Sequence, residues 1–78
     1  MTFKLGDIVR IKQDAYLDGD DNYLYRNEEY TIHQFGILST TFQVKGKIRD
    51  LVNPQSTWWV VNPYIFELVD NQKGFSTL

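Results

Sequence analysis

The side chains best placed to do chemistry lie between Asp14 and Glu29, in the stretch "DAYLDGDDNYLYRNEE". Six carboxylates (Asp14, Asp18, Asp20, Asp21, Glu28 and Glu29) stand there against Arg26 alone, a local net charge of −5. Carboxylates at this density suggest three kinds of chemistry: cation binding, acid–base catalysis, or contact with a basic partner. Asp18, Asp20, Asn22 and Glu29 match ligand positions 1, 3, 5 and 12 of a calcium loop. The match fails at position six, where the required glycine is Tyr23, and at position nine, which is Arg26. No metal site is therefore expected. Acid–base catalysis needs a geometry held to a fraction of an ångström, and a turn-rich loop does not hold one. The plainest reading is a solvated loop. The sharper reading is a negative patch for a positively charged protein, anchored by aromatics, which are enriched in protein interfaces. Its candidate residues are Asp18, Asp20, Asp21, Tyr23, Tyr25 and Trp58.

A second pattern has the opposite sign. Lys45, Lys47 and Arg49 alternate along "QVKGKIR" and so share one face of a strand, with Phe42, Val44 and Ile48 on the other. Three cations on a sheet face can meet phosphates, and single-strand binding adds exposed aromatics among them. An ordinary solvated strand face has the same pattern. His33 is the only histidine. It has no cysteine to activate, and no serine sits in a Gly-x-Ser-x-Gly turn. The glycines are scattered and form no phosphate-cradling loop. The expectation is a non-catalytic protein with no cofactor.

The elements that carry these residues read as strands. "IVRI" at 8–11 is β-branched and follows a Gly-Asp turn pair. Residues 12–27 have no sustained period and contain "DGDDN", so they read as one long loop. Residues 28–38 alternate, with Tyr30, Ile32 and Gln34 on one face and Thr31, His33 and Phe35 on the other. Residues 39–51 form a further strand, in which Gly46 suggests a bulge or bend. "VNPQST" at 52–57 is a turn, "WWVV" a strand, "NPYI" a 3₁₀ turn and "FELV" a short last strand. Trp58 and Trp59 must point to opposite faces, one toward the core and one outward. Alternation alone leaves open which is which.

Seventy-eight residues with no repeat or linker make one domain. Aromatics are 15% of the chain, enough to fill a compact core without the disulfides or thiolate zinc sites that its lack of cysteine rules out. The net charge of −2 argues against general duplex-DNA binding, though not against a local basic patch. The opening "MTFKLGD" has no apolar leader core, and the longest apolar run, at 57–69, is interrupted by Asn62, Pro63 and Glu67. No membrane association is expected, and a cytoplasmic location is.

"FKLGDIVRI", "RNEEYTI" and "WWVVNPYIFELV" together resemble small SH3-like barrel proteins of bacteria and their phages. Members open on a Gly-Asp-x-Val-Arg strand, continue with a Gly-Glu-x-Tyr-Thr-Val strand and close on Trp-x-Val, Pro and Leu-Glu-Leu-Val. Asn27 stands here where glycine is usual. The resemblance implies an all-β, five-stranded SH3-like barrel over residues 1–69, with a long acidic first loop and a 3₁₀ turn before the last strand. Residues 70–78 would be a polar, frayed tail. It also implies a bacterial or phage origin. The acidic, aromatic loop and the small size add the expectation of a phage or mobile-element accessory protein of the host cytoplasm that docks onto a host or defence protein and modulates or inhibits it. SH3-like barrels serve many functions, so two alternatives stand beside this. One is a nucleic-acid-binding SH3-like or KOW-type module using Lys45, Lys47 and Arg49. The other is a structural component of a virion or larger complex. By analogy with the proline-peptide groove of eukaryotic SH3 domains, Tyr16, Tyr23, Tyr25, one tryptophan and Tyr64 are further candidates.

Overall fold

The computed structural model describes residues 3–38, 40–51, 53 and 56–69. The expected tail at 70–78 and half of the turn expected over 52–57 lie outside the described residues. The protein is all-β: strands β1 (Ile8–Ile11), β2 (Glu29–Phe35), β3 (Phe42–Gly46), β4 (Ser56–Trp59) and β5 (Phe66–Leu68) form one antiparallel sheet. Its order is β4-β3-β2-β1-β5. The other regular elements are 3₁₀ turns at Gly19–Tyr23 and Pro63–Ile65. Among the described residues there is no α-helix. The sheet is not closed: β4 and β5 stand at its two edges, and among the described residues no ladder joins them.

β1 pairs with both β2 and β5 because its Val9 and Ile11 point inward and its main chain has neighbours on either side. Arg10 points outward and meets Glu67 of β5 at 3.5 Å, opposite Glu29 of β2. The 3₁₀ turn before β5 starts where proline is tolerated, at the first helical position. Asn62 caps it by accepting a hydrogen bond from the Tyr64 amide at 3.1 Å.

β2 departs from simple alternation. Tyr30 and Ile32 are buried as the pattern predicts. Ile32 then pairs with Val44 while Gln34 pairs with Gln43, so His33 is an extra residue in β2. Such a bulge sets two residues against one and flips the phase of the strand beyond it. Phe35 therefore turns inward and packs on Phe42, with ring centroids 5.9 Å apart, and Gln34 is exposed. The sequence-based faces of Gln34 and Phe35 are thus reversed, and the bulge lies at His33 instead of Gly46. Gly46 pairs regularly with Ser56. Its missing side chain admits the Tyr30 ring, since a Cβ at Gly46 would lie 2.6 Å from Tyr30 Cδ1.

Two strands are displaced from their expected ranges. β3 ends at Gly46. Beyond it, Ile48 turns into the core and bridges to Leu24 of the first loop. β4 covers Ser56–Trp59 instead of 58–61, and pairs Trp58 with Val44 and Trp59 with Gln43. Val44 is fully buried, so Trp58 is the inward, half-buried tryptophan and Trp59 the exposed one.

The core collects Val9, Ile11, Tyr30, Ile32, Phe42, Val44 and Phe66 from the strands, with Leu24, Ile48, Val60 and Ile65 from the connections. Phe42 is its centre, with rings of Phe3, Phe35 and Phe66 at 5.7, 5.9 and 5.7 Å. Aromatic pairs at such distances add to the area they bury.

Candidate binding surfaces

The acidic loop is more structural than its composition suggests. Its 3₁₀ turn places Asp21 under the connection that follows β4, where the side chain is fully buried. The carboxylate accepts hydrogen bonds from the Val61 amide at 2.8 Å and the Asn62 amide at 2.9 Å. Asp21 is therefore a clamp between two distant segments and cannot meet a partner. Asp18 and Asp20 are exposed. The Asn22 amide donates to the Leu17 and Gly19 carbonyls and stays inside the loop. Arg26 donates to the Ala15 carbonyl at 2.6 Å and reaches the Lys12 and Gln13 carbonyls. Among the described residues no three carboxylate or histidine side chains converge on a point where a metal ion could sit.

The aromatic candidates separate into different places. Tyr23 leans on Trp58, with ring centroids 5.0 Å apart, and this pair seals the edge of the core. The Trp58 indole Nε1 is buried there and finds no acceptor among the described residues. Tyr25 is half-buried and covered by cations: the Arg49 guanidinium lies 4.5 Å and Lys47 Nζ 5.4 Å from its ring centre. Tyr16 and Tyr64 are exposed, and among the described residues no ring contact joins either to the others.

The cations of the second pattern fall on β3 and just beyond it. Lys45 is cross-strand to Thr57 and Thr31, Lys47 and Arg49 flank Tyr25, and Trp59 stands outward across from Gln43. Arg49 also ties this segment to the acidic loop, its Nε donating to the Asn22 carbonyl at 3.1 Å and its amide to the Tyr23 carbonyl at 2.8 Å. Among the described residues Lys45, Lys47 and Arg49 form no ion pair. Tyr30 completes the tie. Its hydroxyl accepts from the Tyr25 amide at 2.8 Å and donates to the Lys47 carbonyl at 2.6 Å. Burial raises the Tyr30 phenol above its ordinary ionisation range, because the phenolate would lose its hydration; the Tyr25 amide bond opposes this shift.

A third surface was absent from the sequence-based candidates. The β2–β3 connection carries Ile37 and Leu38, which are 94% and 98% exposed. Together with Phe35, Gly36, Thr41, Gln34 and Trp59 they line a shallow concavity of about 520 Å³. Trp59, 44% exposed, forms its β4 wall. The Thr41 hydroxyl donates to the Val60 carbonyl and holds that wall to the end of β3. The signal in the sequence was "FGIL". A glycine closing a strand before two aliphatic residues sends them past the core, whereas the sequence reading ran the strand through to Leu38. Comparison with known proteins finds no matching family model, no similar curated protein and no similar solved structure.

Proposed function

We propose that this protein is a non-catalytic module of the SH3-like barrel type that binds another protein through the apolar end of its sheet. One observation carries the proposal: Ile37 and Leu38 stand almost fully exposed beside the Trp59 ring, around a concave apolar surface. Aliphatic side chains held out in water on a short connection gain about 25 cal/mol per Å² when a partner covers them. Contiguous apolar patches of this kind mark interaction sites. The SH3-like assignment is supported by the resemblance and by a strand order in which β5 returns beside β1 after a 3₁₀ turn. The phage origin rests on the resemblance, and the partner class, a host or defence protein, on the acidic, aromatic first loop and the small size.

The test is a tagged capture from host lysate, with and without nuclease, using the wild type, Leu38→Asp, Lys47→Glu and Asp20→Lys. A protein retained after nuclease by the wild type and Lys47→Glu, and lost from Leu38→Asp, supports the reading. Loss only on Asp20→Lys moves the contact to the acidic loop.

A second reading is favoured by the cations around Tyr25. Lys45, Lys47 and Arg49, which among the described residues have no ion-pair partner, with Tyr25 beneath two of them, suit a single-stranded nucleic acid. Its mark is binding that weakens steeply with salt and on Lys47→Glu. Capture abolished by nuclease supports it against protein docking.

A further inference from the structure

The two edges of the sheet are guarded differently. β5 is three residues long and carries Glu67, paired with Arg10 at 3.5 Å. β4 reads Ser-Thr-Trp-Trp, with no charge and no proline, and its register with β3 is unbroken. Open edges normally carry a charge, a proline or a bulge, because unpaired main-chain groups recruit another strand. On β4 those groups can be assigned. The Val60 amide donates to the Phe42 carbonyl at 3.0 Å, which makes these two a hydrogen-bonded pair. In an antiparallel ladder the pairs alternate. Ser56 and Trp58 therefore turn their main-chain groups toward β3, and Thr57 and Trp59 turn theirs to the open side.

We propose that the open side of β4 pairs with β4 of a second copy of this chain, antiparallel about a twofold axis at Trp58. Thr57 then exchanges both main-chain hydrogen bonds with Trp59 of the second copy, and Trp59 with Thr57 of the second copy. Every outward group on the strand is satisfied by this one register. A shift by one residue would set inward side chains against outward ones, and a shift by two would pair only Thr57 or only Trp59 within the strand, so this register is the one that uses both. Trp58 meets its equivalent across the axis as a non-hydrogen-bonded pair, the arrangement in which side chains come closest. On the outer face the exposed Trp59 ring covers Thr57 of the second copy.

Self-complementarity argues for a second copy over another protein's strand: the two outward residues of β4 are each other's partners in one antiparallel register. An acidic or basic strand finds no counter-charge on Ser-Thr-Trp-Trp, and two identical neutral strands bring no like charges together. The contact is isologous and closes at two copies. It does not rest on the docking proposal: the two share the Trp59 ring, but this contact is made by the main chain of β4 and does not use Ile37 or Leu38.

The experiment is analytical ultracentrifugation of the full chain from about 1 μM to about 1 mM. Its variants are Thr57→Lys, which guards the edge with an exposed charge, and Thr57→Pro, which removes an outward amide. The wild type is expected to rise from monomer to dimer mass. Both variants should weaken the dimer at least ~10-fold with unchanged circular dichroism. Should Thr57→Pro fail to fold, Thr57→Lys decides. A wild type that stays monomeric to about 1 mM overturns the proposal. So does a dimer that survives Thr57→Lys, or one lost on Leu38→Asp alone, which would seat the contact on the apolar end.

Discussion

The first loop and the β2–β3 connection invert what their compositions suggest. The first loop is charged and polar, the composition of a solvated segment, yet it is tied into the fold at many points. Asp21 is buried beneath Val61 and Asn62, Leu24 is in the core, and Arg26 and Tyr30 fasten its main chain. The β2–β3 connection, Gly-Ile-Leu-Ser-Thr-Thr, carries two adjacent aliphatic residues of the kind a core takes in, yet Ile37 and Leu38 project into solvent. The lesson is that burial follows hydrogen-bond supply as well as hydrophobicity. A carboxylate can be interior if amides meet it, and an aliphatic side chain ends outside if the strand carrying it stops before the core does.

The largest expected effect tests the loop as structure. Asp21→Ala removes a buried double acceptor and strands the Val61 and Asn62 amides, at roughly 2–3 kcal/mol. Asp20→Ala, one residue away and exposed, should stay within about 0.5 kcal/mol. Urea unfolding of the pair checks the contrast, and equal small losses would show that the loop is not clamped. Tyr30→Phe comes next, at roughly 1–2 kcal/mol, because both the Tyr25 amide and the Lys47 carbonyl lose their partner. This variant also has a pH signature. The folded state raises the Tyr30 pKa above its ordinary 10.0. The phenol's contribution is therefore complete below pH 10.0 and is lost as pH rises through the folded value. Wild-type stability should fall in that window more steeply than that of Tyr30→Phe.

Much of the framework was legible in the sequence, because alternation and turn residues report on local backbone. All five strands, the long first loop and the Pro63 turn were found that way. The bulge at His33 was not, since one added residue in a strand leaves no compositional mark and reverses every face beyond it. The roles of Asp21 and Gly46 were hidden for a different reason. Each depends on a partner far along the chain: the Val61 and Asn62 amides for Asp21, and the Tyr30 ring for Gly46. Neither that partner nor its distance is written in local spacing. Of the basic candidates, Lys47 and Arg49 meet at the Tyr25 ring beyond the end of β3, a contact with the first loop that alternation does not report. The six acidic-loop candidates do not form one surface, because Asp21 turns inward and Trp58 is the tryptophan that faces the core.

Two smaller effects sharpen the contrast from opposite sides. Arg26→Ala should cost about 1 kcal/mol, because a partly exposed guanidinium loses its bond to the Ala15 carbonyl and water replaces part of it. The smallest effect belongs to Ile37→Ser combined with Leu38→Ser. Removing two aliphatic side chains from a core would cost several kcal/mol. Here both side chains already stand in water in the folded state, so folding gains almost nothing from them. The double variant should unfold within about 0.5 kcal/mol of the wild type, with the same urea dependence. A loss above about 2 kcal/mol would mean that these side chains fold back onto Trp59 and belong to the core. Near-neutrality together with loss of a captured partner separates a surface kept for binding from one kept for stability, because only binding then depends on the missing methyl groups.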